Sequence, residues 1–280
     1  MSLRTIEPAE IINSPYPHIA ATNALVDYDD LLGPFPAENR FGSQIRMHGD
    51  LTYPDAEYIK LIDDAPAYRR LHDWVYSPAF ITTFLTLFDA EIDHYWKAGA
   101  LLLDPRSLPI KAAPYEKRED LIGFANVSKT DAFLFPRLDI GIGKLDYGLK
   151  NGGGGVHVDN LTRLVSILVY IDDNPSLVGG EHRLYRVEDY QPVIEKVYSA
   201  KGNLMVASLQ SNRALHDVNP VTAIEGVRKA MYMAVSCSAE IWRPDPDKRL
   251  QRLTKSRYRA PLAIRGLRRV RKFGREMFGV

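Results

Sequence analysis

The segment that most constrains the fold is Leu164-Val165-Ser166-Ile167-Leu168-Val169-Tyr170-Ile171, a nearly continuous apolar run rich in β-branched residues. Such a run reads as a buried strand. Asp172-Asp173-Asn174-Pro175 breaks it. Further segments follow at short intervals. Gly179-Gly180-Glu181-His182-Arg183-Leu184-Tyr185 opens a second strand. Lys201-Gly202-Asn203 turns into Leu204–Leu209, and Gly226-Val227-Arg228 leads into a last strand that runs to Ser236. Short strands punctuated by turn signals at this spacing predict an antiparallel sandwich or barrel.

Within this frame lies His157-Val158-Asp159, followed much later by His216 and then Arg228. Side chains two apart on an extended chain point the same way, so His157 and Asp159 share a face. His216 would join them from a distant strand. Two imidazoles and one carboxylate on one side of a metal leave its opposite side open, as non-haem Fe(II) needs to bind a co-substrate and oxygen together. Arg228, shortly after the third ligand, could hold the far carboxylate of a dicarboxylic co-substrate. Asn151-Gly152-Gly153-Gly154-Gly155 before the motif supplies a flexible approach. Each signal has a plain alternative: a strand-edge His157 with an Asx turn at Asp159-Asn160, a loop His216 capped by Asp217, a surface Arg228. Their order together favours the metal reading.

The order of parts resembles the Fe(II)/2-oxoglutarate-dependent dioxygenases, in the prolyl 4-hydroxylase-like branch. The matching segments are Gly155–Asn160, Val169-Tyr170-Ile171-Asp172, Gly179-Gly180-Glu181, Ala214–Val221 and Gly226-Val227-Arg228, within about residues 136–240. Pro15-Tyr16-Pro17-His18-Ile19 also looks like the opening of bacterial relatives. The resemblance implies a mainly β, α+β fold: a double-stranded β-helix (jelly-roll, cupin-like) core with N-terminal helices packed on it. It implies Fe(II) on His157, Asp159 and His216, with 2-oxoglutarate and O2 as co-substrates and ascorbate as a reductant. Arg228 takes the position of the residue that pairs with the 5-carboxylate. Tyr170 matches a tyrosine that shares this carboxylate in some relatives; Ser166 or Ser236 are the alternative hydroxyls, and Tyr147 matches a tyrosine before the His-x-Asp. Asp159 is a true carboxylate, which the halogenating relatives lack, so the expected reaction is hydroxylation of an unidentified substrate. Two rivals remain: a non-catalytic jelly-roll ligand-binding module, and a cupin-like metalloenzyme that does not use 2-oxoglutarate. His182 lacks a partner at ligand spacing and reads as a strand residue near the site. His18, His48, His72 and His94 read as structural or surface histidines.

The 280 residues, 45% hydrophobic and 25% charged, suit one oxygenase domain over residues 1–246, helical to about 120 and jelly roll from about 121. Ser77-Pro78 before Phe80–Phe88 reads as an N-cap and helix, and Asp64 to Tyr76 as another, with Tyr68, Leu71, Trp74 and Val75 toward the core. The segments 41–54 and 106–120 read as loops over the pocket mouth. Cys237 is the single cysteine, so no intrachain disulfide forms. The N-terminal stretch has no apolar run and no segment is apolar enough to span a bilayer, so the expected location is cytoplasmic. The net charge of +1 hides an asymmetry. Residues 247–280 hold twelve Lys and Arg against Asp247 and Glu276, a net of +10, and the rest of the chain carries −9. Leu262, Ile264, Leu267, Val270, Phe273 and Met277 fall at helical spacing among these cations. This basic amphipathic tail is expected either on the chain's own acidic body or on an anionic membrane surface or acidic partner. No motif or aromatic interleaving points to nucleic acid.

Overall fold

The computed structural model describes residues 2–42, 48–113, 129–148 and 155–250. Most of the basic tail, and Asn151–Gly154 of the glycine run, lie outside the described residues. Among the described residues, nine strands and four α-helices build the fold. Near the N-terminus come β1 (His18–Ala21) and β2 (His48–Thr52), then α1 (Ala56–Asp64), α2 (Pro66–Val75), α3 (Pro78–Leu87) and α4 (Asp89–Lys97). The rest is β3 (Leu134–Gly143), β4 (Arg163–Tyr170), β5 (His182–Glu188), β6 (Gln191–Tyr198), β7 (Met205–Leu209), β8 (Leu215–Val218) and β9 (Arg228–Cys237).

The strands form a six-stranded sheet in the order β1-β7-β4-β9-β3-β2 and a three-stranded sheet in the order β6-β5-β8, all antiparallel. A single bridge from His157 to His216 adds a fourth position beside β8. From β3 onward the chain passes repeatedly between the sheets: large, small at His157, large at β4, small at β5 and β6, large at β7, small at β8, large at β9. This is the path of a double-stranded β-helix, a jelly roll.

The apolar run of β4 follows from this arrangement. Its odd residues Val165, Ile167 and Val169 pack with Met231, Met233 and Val235 of β9 in one cluster with Tyr58, Leu61, Leu71, Phe80 and Phe84 of the helices. Its even residues face the space between the sheets, where Ser166 and Leu168 line a cavity. A strand covered on both faces loses the alternation that a half-wet strand shows. Each large side chain so buried contributes roughly 1.5–3 kcal/mol. Ser77 caps α3, its hydroxyl accepting from the Phe80 amide at 3.4 Å, with Pro78 in the first turn.

One sequence expectation is corrected. Residues 41–54 do not form a loop throughout, because His48–Thr52 is an edge strand paired with Gly143–Asp139 of β3. Its pairing is dictated by β3 rather than by its own polar sequence. Of 106–120, residues 106–113 are described and Ile110 bridges Leu134; residues 114–120 lie outside the description.

Candidate metal centre

The cavity between the sheets has a volume of about 310 Å³, and His157, Asp159 and His216 line one wall. One ligand atom from each of the three lies within 4.8 Å of the others. The Nε2 atoms of His157 and His216 are each 3.8 Å from Asp159 Oδ1, and the two imidazole centroids are 4.3 Å apart. His157 reaches this place from the single bridge to β8, and Asp159 from extended chain beyond it. His216 sits in strand β8, not in a loop.

The imidazoles are oriented in the same way. His157 Nδ1 lies 3.0 Å from the Gly155 carbonyl, and His216 Nδ1 lies 3.0 Å from the Ala214 carbonyl. An Nδ1–H donating to a backbone carbonyl leaves the Nε2 lone pair for a cation. Asp159 is also aimed. Its Oδ2 accepts hydrogen bonds from Ser166 and, at 3.4 Å, from Tyr232, so Oδ1 is left facing the histidines. Burial pushes the Asp159 carboxyl up, but His216, Arg163 and His157 outweigh it and hold the group well below the usual carboxylate range. Burial pushes the Tyr232 phenol up to about 12, so it remains a neutral donor. The chemistry of this donor set, two imidazoles and an ionised carboxylate beside a cavity, fits a divalent transition metal.

Arg228 opens β9 and is 4% exposed. Its Nε donates to the Gly180 carbonyl at 3.2 Å, which also accepts from the Tyr170 hydroxyl at 3.3 Å. The guanidinium lies 4.6 Å from the Tyr170 ring and 5.4 Å from the Tyr147 ring. Its Nη2 is buried with no hydrogen-bond partner among the described residues. Gly179-Gly180 is explained by this packing. At Gly180 a Cβ would lie 3.1 Å from Arg228 Cδ, and at Gly179, where φ is +87°, it would lie 1.9 Å from the Pro220 carbonyl oxygen.

The two alternative serines are not near Arg228. Ser166 holds Asp159 instead. Ser236 is on the same face of β9, but eight residues along, about 26 Å away at the rise of a strand, and it does not line the cavity. The structure therefore gathers Tyr170 and Tyr147 around Arg228 and leaves Ser236 out. His182 lines the cavity with its ring 5.5 Å from that of His216. Burial, with His216 and Arg228 nearby, holds its imidazole well below the usual histidine range, so it is neutral.

Sequence reasoning missed several residues. Arg183 clamps Asp217 through Nε at 2.8 Å and Nη2 at 2.6 Å, and Tyr185 adds a bond at 2.9 Å, tying β5 to β8 one residue after His216. Tyr232 was open to inference, since it lies four residues after Arg228 on the same face. Arg137 and Arg163 gave no such signal.

No protein-family model matches this chain, and no curated protein matches it. Solved structures similar to it include prolyl 4-hydroxylases from Phytophthora capsici, at 18% identity and TM-score 0.41, covering 78% of this chain and 58% of that one. Another is the viral collagen prolyl hydroxylase vCPH from Paramecium Bursaria Chlorella virus-1 in its 2OG complex, at 12% identity and TM-score 0.37, covering 78% and 94%. A third is IDO from Bacillus thuringiensis, at 17% identity and TM-score 0.31, covering 40% and 52%. This chain thus spans about half the length of the Bacillus and Phytophthora proteins. The jelly roll is fixed by strand order, and the site's chemistry by the geometry above, not by these likenesses.

Proposed function

We propose that this protein is an Fe(II)- and 2-oxoglutarate-dependent dioxygenase that hydroxylates an unactivated C–H bond. The observation that carries the reading is Arg228: a buried guanidinium with an unpartnered Nη2, set between two tyrosine rings in the cavity that also holds the three metal-ligating side chains. A carboxylate partner offsets the cost of burying that charge and satisfies the free N–H. A non-catalytic jelly roll, or a metal site without a dicarboxylate, leaves it unexplained.

His157, Asp159 and His216 would hold the iron. With 2-oxoglutarate and O2, the iron supplies the oxidant that converts C–H to C–OH as 2-oxoglutarate becomes succinate and CO2. The chain's own residues bind and orient. Arg228 takes the 5-carboxylate, with the Tyr170 ring against its guanidinium and the Tyr170 hydroxyl on the Gly180 carbonyl, and Ser166 and Tyr232 fix the Asp159 carboxylate so that one oxygen faces the metal position. Leu168, Val206 and Ala230 make the apolar part of the wall and limit water there.

Purified protein supplied with Fe(II), ascorbate and 2-oxoglutarate should release succinate slowly without substrate, and Arg228→Ala should lose this release while still binding metal. Absence of both succinate release and 2-oxoglutarate binding by the metal-loaded protein would overturn the proposal.

A further inference from the structure

His182 opens β5, and its place along the cavity is set by the pairing of β5 with β8. Leu184 stands opposite His216, and His182 opposite Val218. Residues two apart on a strand share a face, so His182 points between the sheets as the fully buried Leu184 does. It stands one step of about 6.6 Å from the register of His216. The next step in the same direction is Gly180. The Gly180 carbonyl accepts from Arg228 Nε at 3.2 Å and from the Tyr170 hydroxyl at 3.3 Å, and its amide donates to the Asn219 carbonyl at 2.9 Å. Residues 180–184 therefore run along the cavity wall from Arg228 to the metal position, with the His182 imidazole between the two.

This imidazole has a nitrogen that the protein does not satisfy. His182 lines the cavity with its ring 5.5 Å from that of His216. Its Nδ1 is buried with no hydrogen-bond partner among the described residues. The other two histidines of the cavity, His157 and His216, each have Nδ1 3.0 Å from a backbone carbonyl. His182 does not join them as a fourth ligand, since the ligand atoms that come together are those of His157, Asp159 and His216. Packing does not account for it either. A buried polar atom without a partner lowers stability, and an apolar side chain of similar size would fill the same place at less cost. A ligand that completes the hydrogen bond does account for it. As a neutral ring, His182 offers an N–H without a further positive charge beside Arg228.

We propose that His182 is a contact residue for the co-substrate, donating a hydrogen bond to a carboxylate oxygen of 2-oxoglutarate where that molecule lies between the metal position and Arg228. This inference rests on the oxygenase reading above and adds a residue to it. It has a consequence that a packing role lacks: the side chain that strengthens co-substrate binding weakens the protein that has none bound.

The test uses the full chain loaded with Zn(II), which has no redox chemistry, and compares wild type with His182→Leu and His182→Gln. His182→Leu should bind 2-oxoglutarate roughly 10- to 100-fold more weakly, the loss expected for one hydrogen bond to a charged group. Its Zn(II) affinity should be unchanged, and its metal-free form should unfold at equal or higher urea than wild type. His182→Gln, which returns an N–H donor, should recover most of the 2-oxoglutarate affinity. A measurement on wild type stands apart from the folding of the leucine variant. The ring 15N resonances of His182, assigned by their loss in His182→Gln, should move when 2-oxoglutarate is added to the Zn(II) protein. The proposal is overturned if these resonances stay in place, if His182→Leu keeps wild-type 2-oxoglutarate affinity, or if His182→Gln binds as weakly as His182→Leu. Lower urea stability of metal-free His182→Leu, or loss of its Zn(II), would overturn it in favour of a structural role. Failure of the wild-type protein to bind 2-oxoglutarate at all would overturn the oxygenase reading itself, a result separate from all of these.

Discussion

Replacing Ser166 by Ala removes one hydroxyl and nothing else from the wall of the metal centre. That hydroxyl donates to Asp159 Oδ2, and the second donor to the same oxygen, Tyr232, is at 3.4 Å, long for an O–H donor. Ser166 is therefore the main restraint on the carboxylate. A hydrogen bond to a charged group contributes about 1.5–3 kcal/mol. Ser166 makes this bond with or without metal, so most of the loss should appear as reduced stability of the metal-free protein. The remainder is orientational: a carboxylate free to rotate presents Oδ1 to the histidines for only part of the time. Outer partners of this kind are worth roughly 10- to 100-fold in metal affinity, and with stability absorbing much of the change the lower end is expected. Calorimetric titration of wild type, Ser166→Ala and Ser166→Thr with Co(II), alongside urea denaturation of the metal-free forms, measures both parts. Ser166→Ala should bind Co(II) about tenfold more weakly and unfold at lower urea, and Ser166→Thr, which restores the hydroxyl, should recover most of both. An alanine variant matching wild type in affinity and stability would show that Asp159 is held by other means.

Asp159→Ala should abolish metal binding in the same titration, because two imidazoles alone make a weak site. Arg228→Ala should weaken 2-oxoglutarate binding by about 3–5 kcal/mol, the typical cost of leaving one buried partner uncompensated, with metal affinity retained. Gly179→Ala should cost at least about 2 kcal/mol from its left-handed backbone and the clash with Pro220. Gly226→Ala, at φ +78° with nothing within 4 Å, should cost clearly less, and comparing their urea midpoints checks the difference. Stability should also depend on pH through His72, which packs on Tyr76 with its Nδ1 2.9 Å from the Tyr58 hydroxyl. Burial lowers its folded pKa. Below about pH 6.5 the unfolded chain therefore binds the proton first, and stability falls as pH drops, by up to about 1.4 kcal/mol per pH unit. Its share should vanish in His72→Gln, and an unchanged slope between pH 7 and 5 would refute it.

The core strands were legible because their burial is written in composition. β4 and β9 are apolar on the face that packs against the helices, and the His157-x-Asp159 pair declares itself by spacing. Edge strands carry no such record. β6 begins with Gln191-Pro192 and exposes Ile194 and Val197, and is held only by its hairpin partner β5; β1 and β2 are short and are recruited by partners distant in sequence. Arg228 could be singled out as a candidate, but its companions could not be ranked by parity alone. Ser236 and Ser166 both have the right parity on their strands, and only distance along β9 and the approach of Asp159 separate them. Arg163 was invisible for the opposite reason, since the β4–β9 register shifts between Arg163 and Val165 and reverses the parity that the sequence predicts.

The place of β9 has a consequence for how the site comes into being. Among the described strands it is the last in chain order, yet it lies between β4 and β3, near the middle of the large sheet. On the ribosome, His157, Asp159 and His216 emerge before the strand that carries Arg228 and Tyr232. Until β9 inserts, β3 and β4 each lack a neighbour, and Asp159 lacks its tyrosine donor. Pairings so remote in sequence form slowly. Any binding that needs both the His157–Asp159–His216 group and Arg228 would therefore wait until β9 closes the sheet.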